Sequence, residues 1–314
     1  MYAAAPAFGL RNIYRLVENN FMHRFRVVGR VSIGLFTLFT LNSMAAAQPP
    51  RAPLVLEPEG HLGEAVFPAL EGWARNDDGT FTILLGYFNR NDESVHIPVG
   101  AENRIEPGGP DLGQPTHFLP GRGWGVFSIT VPEDFGDQQF TWTLTINNQQ
   151  SVVQFWLNPP YFVDPFLNRA NGNVPPMLKV SKTGDELQGP PHGVNATYTT
   201  TVGQPLELYA FATDTELTNP PPPRRRGGPR PPLTLKWDLY RGPTDGVMFD
   251  SGAEEGESNR HQFESLVGGE TTTVATFSEP GDYRLIVTAN DISGNGGGGD
   301  QCCWTTAHVD VTVR

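Results

Sequence analysis

Asp291, Ser293 and Asn295 set side-chain oxygens at alternate positions, and Gly296 follows them. That is the first half of a calcium loop: the glycine allows a sharp turn and the oxygens converge on one hard cation. Position 12 of such a loop should be a bidentate Glu, and here it is Cys302. Asp300 and, from a neighbouring loop, Asp214 complete a candidate calcium set of Asp214, Asp291, Asn295 and Asp300. The competing reading is a polar, glycine-rich turn. Gly294-x-Gly296-x-x-Gly299 also matches a dinucleotide fingerprint by letter. The fingerprint needs a helix N-terminus after it to hold the pyrophosphate, whereas Trp304 to Val313 reads as a strand. The adjacent Cys302 and Cys303 are either a vicinal disulfide or two thiols on opposite faces of a strand. Neither builds a metal site, because no His stands at ligand spacing.

A second group lies in the glycine- and proline-rich stretch from Gly100 to Gly123. Asn103, Arg104, Glu106, His117, Arg122 and Trp124 form a candidate ligand set. The arginines can hold a carboxylate or sugar hydroxyls, and Trp124 can stack on a sugar ring. The alternative is a self-packed loop whose Arg and Asn side chains satisfy backbone carbonyls. The chain contains no Gly-x-Ser-x-Gly elbow, no His-Glu-x-x-His and no phosphate-binding loop. Asn219 to Pro232, with seven Pro and four Arg, reads as an extended insertion between strands. It is either a docking tether or a solvated loop.

The elements that position these residues read as strands. Phe140, Trp142, Leu144 and Ile146 alternate with threonines, a period of two with one buried face. Phe81–Asn89, 94–99, 124–131 and 152–157 are further strands of a first domain, 48–160. The segment 161–176 is a proline-rich linker. A second domain, 177–314, carries candidate strands at 178–181, 197–202, 206–213, 233–240, 247–250, 272–277, 282–290 and 304–313. Short strands separated by Gly and Pro predict an all-β chain of two β-sandwich domains in tandem. No stretch carries helical periodicity.

Phe211-Ala-Thr-Asp214, Leu235-Lys-Trp237-Asp-Leu-Tyr240 and Phe277-Ser-Glu-Pro-Gly281-Asp-Tyr283-Arg-Leu-Ile-Val resemble the core strands of PKD and related Ig-like modules. The resemblance covers roughly 196–314 and implies that Trp237 is the buried aromatic of strand C and that Tyr283 begins strand F. Leu285 stands where antibody domains have Cys, and Tyr240-Arg-Gly242-Pro243 replaces the usual Gly-Asp-Gly. Asn103-Arg-Ile-Glu-Pro-Gly-Gly-Pro110 and Thr116-His-Phe-Leu-Pro-Gly121 resemble uncharacterised exported bacterial proteins, which implies no activity.

Residues 22–47 run from a basic start (His23, Arg24, Arg26, Arg30) through an uncharged apolar segment, 31–44, to Ala45-Ala46-Ala47. That order is a secretory signal peptide with cleavage after Ala47. The apolar run is shorter than the roughly 20 residues of a membrane span. Residues 1–47 are therefore read as signal peptide and upstream extension, with Met22 as a candidate start. Removing their five Arg and one Glu from 22 basic and 34 acidic residues leaves 17 and 33, a net charge of −16. Such a surface repels nucleic acid and anionic lipid. Two Cys in 314 residues make no disulfide framework.

The sequence thus predicts an exported, non-catalytic protein of the periplasm or extracellular space. Its sandwich modules serve adhesion, carbohydrate binding or protein binding, with a protein or polysaccharide partner at the cell envelope. No cofactor is required, calcium is the candidate ion, and the mature chain has no stable membrane span. The alternatives are a hydrolase with its site in the 100–123 loop, which needs His117, Glu106 and Arg104 to converge, and an accessory subunit of an exported complex.

Overall fold

Alternating apolar residues build two layers of strand in each half of the chain. The computed structural model describes residues 63–162, 174–215, 231–252, 258–292 and 304–314. The segment predicted as a signal peptide, Asn295, Asp300, Cys302, Cys303, most of the predicted linker and most of the proline-rich insertion lie outside the described residues.

The N-terminal lobe contains β1 (Val66–Arg75), β2 (Phe81–Asn89), β3 (Val95–His96), β4 (Asn103–Glu106), β5 (His117–Phe118), β6 (Gly121–Val131), β7 (Phe140–Ile146) and β8 (Gln149–Phe155). Strands β1-β2-β6 form one antiparallel sheet, β4-β7-β8 a second, and β3-β5 a small ribbon. Ile83, Leu85, Phe127 and Ile129 from the first sheet meet Ile105, Trp142, Leu144 and Phe155 from the second. Phe127 and Trp142 cross edge to face at 5.1 Å, the geometry that ring quadrupoles favour.

The 100–123 stretch is more ordered than a loop. It contains β4 and β5, and its buried polar side chains close it on itself. Asn103 Nδ2 donates to the carbonyls of Ile97 (3.0 Å) and Pro115 (2.7 Å), and its Oδ1 accepts from the Trp142 indole (3.1 Å). Gln114 Nε2 donates to Pro110 O at 2.7 Å. Buried carbonyls need such partners, and Asn103 supplies them as the self-packed alternative expects.

The C-terminal lobe contains β9 (Met177–Lys179), β10 (Ala196–Thr200), β11 (Leu206–Thr213), β12 (Leu233–Arg241), β13 (Val247–Asp250), β14 (Arg260–Phe263), β15 (Gly269–Phe277), β16 (Gly281–Asp291) and β17 (Trp304–Val313). One sheet runs β10-β17-β16-β12-β14, the other β13-β15-β11-β9. All pairs are antiparallel except β10 with β17, which is parallel. Trp237, Leu285, Val287 and Val309 of one sheet share a core with Leu208, Ala210, Ala275 and Phe277 of the other. At the start of β16 the Tyr283 hydroxyl donates to Glu279 O at 2.8 Å, the tyrosine-corner contact of Ig-like sandwiches. The chain is all-β, two sandwiches in tandem.

The lobes pack as one unit. Tyr240 and Ile286, on the outer face of the β12–β16 sheet, are buried within the N-terminal cluster. Thr116 N donates to Tyr240 O at 3.1 Å, and the Tyr240 hydroxyl donates to Gly113 O. Arg241 grips Asp111 with two nitrogens, at 3.0 and 2.8 Å, and donates from Nε to Gln114 O at 2.8 Å. A bidentate Arg–carboxylate pair fixes orientation as well as charge. Among the described residues no helix is long and apolar enough to cross a membrane.

Candidate functional site

Between β6 and the outer face of β12–β16 lies a cleft of about 320 Å³. A bulge aims its N-terminal wall. Leu85 pairs with Phe127 and Tyr87 with Gly123, so Trp124, Gly125 and Val126 stand opposite the single residue Gly86. An expanded bulge of this kind bends the strand and redirects side chains. Gly123 allows it sterically, because a Cβ there would sit 2.6 Å from the Tyr87 ring. Gly125 has φ +49°, and its bare Cα packs under Trp304 of the other lobe.

Arg122 is fixed on three sides. Its guanidinium lies over the Trp124 ring at 4.2 Å, donates to Tyr87 O at 2.6 Å, and pairs with Glu71. Glu71 is buried, and a buried carboxylate is tolerated only when paired. The Tyr87 hydroxyl accepts from Leu119 N at 2.8 Å, and burial pushes its ionisation well above the usual tyrosine range.

The opposite wall is the outward face of the large sheet. Lys236 and Asp238 project from β12 and pair at 3.2 Å. Asp238 also accepts from Asn259 Nδ2 at 2.9 Å. Arg260 of β14 stands directly opposite Lys236, and Thr288 of β16 flanks Lys236 on its other side. All of these except Asn259 line the cleft.

His117 also lines it. Burial, with a smaller effect from His96, holds its imidazole down at about 4, so it is neutral at pH 7. Its Nδ1 is buried without a hydrogen-bond partner. Arg104 and Glu106 pair with each other at 3.1 Å on an exposed stretch and do not line the cleft. Asn103 is enclosed in the lobe interior. The six-residue candidate set therefore separates: His117, Arg122 and Trp124 meet at the cleft, while Asn103, Arg104 and Glu106 serve the loop's own hydrogen bonds and ion pair. Lys236, Asp238, Arg260 and Thr288 join the site from more than 100 residues away. Their sequence signal is indirect. Tyr240 and Ile286 are apolar at outward positions of β12 and β16, which marks that face as covered by something.

Of the candidate calcium residues, Asp214 follows β11 and Asp291 ends β16. Burial, and secondarily the nearby Asp291 charge, push the Asp214 carboxyl up to about 7 against the hydrogen bond from Thr215 N. Asp291 is buried. Asn295 and Asp300 lie outside the described residues. Among the described residues no three His, Cys, Asp or Glu side chains group to hold a metal.

No family model matches the sequence, and no curated protein matches it. Among solved structures, the titin Ig tandem domains A164-A165 match at 10% identity and a TM-score of 0.22, over 80% of this chain and 99% of that one. The D00-D0 domain of Intimin matches at 12% identity and a TM-score of 0.23, over 80% and 100%. The Yersinia pseudotuberculosis adhesin InvE matches at 10% identity and a TM-score of 0.24, over 80% of this chain and 58% of that one. These are distant likenesses, and the architecture stands on the strand pairing itself.

Proposed function

We propose that this chain is an exported, non-catalytic binding protein that holds a polysaccharide or protein partner at the cell envelope through the cleft between its lobes. The observation that carries the reading is the Trp124–Arg122 stack. A buried carboxylate and a strand bulge hold an aromatic platform at the mouth of a concave, mixed polar and apolar site, the kind of place where ligands bind. The hydrolase alternative requires Glu106 and Arg104 beside His117, and they pair elsewhere with each other. Export rests on the basic, apolar and Ala-x-Ala order of residues 22–47.

The expected outcome in a bacterial host is a periplasmic or secreted protein whose first residue is Gln48. The purified protein should be retained on immobilised envelope polysaccharide and should turn over no glycoside or ester. Trp124→Ala should weaken retention about tenfold, equivalent to roughly 1.4 kcal/mol, with unfolding unchanged. Retention indifferent to Trp124, or hydrolysis abolished by His117→Ala, would remove the reading.

Calcium at Asp214, Asp291, Asn295 and Asp300 is proposed as a separate, dispensable ligand. Uptake requires ionised Asp214, so any stabilisation by millimolar calcium should grow as pH rises through about 7. Equal melting temperatures with calcium and with chelator at pH 8, in wild type and in Asp291→Asn, would exclude the site.

A further inference from the structure

The charges of the cleft are matched within the protein. Arg122 pairs with Glu71 and Lys236 with Asp238, and Arg260 is engaged as well. A charged ligand would leave water without meeting an uncompensated counter-charge, a costly exchange. Two neutral groups, by contrast, lack a partner. His117 Nδ1 and Asn290 Oδ1 are buried without a hydrogen bond, and both residues line the cleft. Each such atom carries a desolvation cost that a partner removes. His117 is neutral at pH 7, because burial holds its imidazole down at about 4. A neutral ring nitrogen donates or accepts according to its tautomer, and an amide oxygen accepts. A hydroxyl does both and so answers either atom, whereas a carboxylate only accepts.

The two atoms belong to opposite ends of the cleft. Thr234, Lys236, Asp238 and Tyr240 follow one another along its β12 side. Asn290 is the cross-strand partner of Thr234. His117 lies at the other end, where its neighbour Thr116 donates from N to Tyr240 O at 3.1 Å. From Thr234 to Tyr240 the strand advances six residues, about 20 Å at roughly 3.3 Å each. The cleft is therefore a groove along the strand. Its floor is the interior of a sheet: β12 is paired on both sides, with β14 and β16, and β16 with β12 and β17. An extended peptide finds no free strand edge on that floor to pair with. Trp124 supplies apolar ring surface on the opposite wall. Accepting the cleft as the binding site, we infer that it holds a linear neutral oligosaccharide laid along β12, with one hydroxyl at His117, another at Asn290 and a sugar ring against Trp124.

The test is titration calorimetry of the mature protein with cellotetraose, maltotetraose, tetra-galacturonate and capped tetra-serine. At least one of the two neutral tetrasaccharides should bind, and its affinity should change less than about twofold between 20 mM and 0.5 M salt, because salt screens only charges. Asn290→Leu and, independently, His117→Leu should each weaken it about three- to tenfold, the worth of one neutral hydrogen bond. Asn290→Leu should do so without lowering the unfolding midpoint, since the oxygen it removes has no partner in the free protein. The matching disaccharide should bind more weakly and respond to at most one of the two substitutions, because it cannot reach both ends. Tighter binding of tetra-galacturonate, or equal binding of tetra-serine, would overturn the neutral-sugar inference, and its loss in Trp124→Ala would still keep the cleft as a binding site. Tetrasaccharide binding indifferent to both leucine substitutions, or binding of neither neutral probe, would also overturn the inference, while retention on envelope material judges the broader reading separately.

Discussion

Lowering the pH from 7 to 4 should destabilise this protein through two buried histidines. Burial, with the nearby His96, holds His117 at about 4. Burial first, and then the Arg284 charge, hold His308 at about 3, opposed by a backbone hydrogen bond with Val126 and by Asp310. His308 sits at the lobe junction, with its ring 4.4 Å from Tyr240 and its Nε2 without a hydrogen-bond partner. Both are bases with folded values below the unfolded value of about 6.5. Their contribution is therefore fully present above pH 6.5 and is lost as pH falls toward the folded values. At pH 4 each costs on the order of 3 kcal/mol by proton linkage. The sum is comparable with the roughly 5–15 kcal/mol that holds an ordinary domain together. Asp214 acts the other way. Its folded value is raised, so the native state gains as pH falls from about 7 toward the unfolded carboxylate value, and its partial exposure to solvent screens that gain. Asp111, held low by Arg241, adds to the acid loss. Urea unfolding at pH 7, 5.5 and 4 measures the slope, and His308→Gln should flatten it markedly. An identical slope in the variant would mean that His308 takes up its proton as readily in the folded as in the unfolded state.

Trp237→Ala should cost about 3–5 kcal/mol, the usual loss when a large buried aromatic is deleted and the site cannot collapse. Trp237 is 1% exposed and lies in the centre of the C-terminal core. Its indole nitrogen is buried without a hydrogen-bond partner, so Trp237→Phe removes volume without orphaning anything and should cost much less than the alanine. Urea midpoints for the two variants give the comparison. A loss below about 1 kcal/mol for the alanine variant would place the side chain in solvent.

Strands with a regular pleat were legible in the sequence. β11, β13 and β17 occupy the residues that alternation predicts, and Trp237 and Tyr283 take the core positions that the Ig-like resemblance implies. Three kinds of element were not legible. In β1, Pro68 and Gly72 interrupt the apolar pattern, and a bulge between Leu70 and Gly72 shifts the period. β14, Arg-His-Gln-Phe, is polar and gains its strand state only by pairing with β12. β4 and β5 hide among glycines and prolines, held by buried Asn103 and Gln114. The cleft was half legible. Trp124, Arg122 and His117 belong to one stretch of chain whose residue types suggest recognition. Lys236 and Arg260 read as ordinary outward positions of strands, because only the docking of one lobe on the other turns that outward face into a wall.

That docking sets what can be inherited as a piece. Tyr240 and Ile286 are encoded with the C-terminal lobe but complete the interior of the N-terminal one. A gene fragment carrying residues 63–162 alone would produce a sandwich with a gap in its own interior. A fragment carrying the other lobe alone would expose a tyrosine and an isoleucine to water. Recombination between the lobes is therefore penalised twice, and the segment that can move between genomes as a working module is the pair.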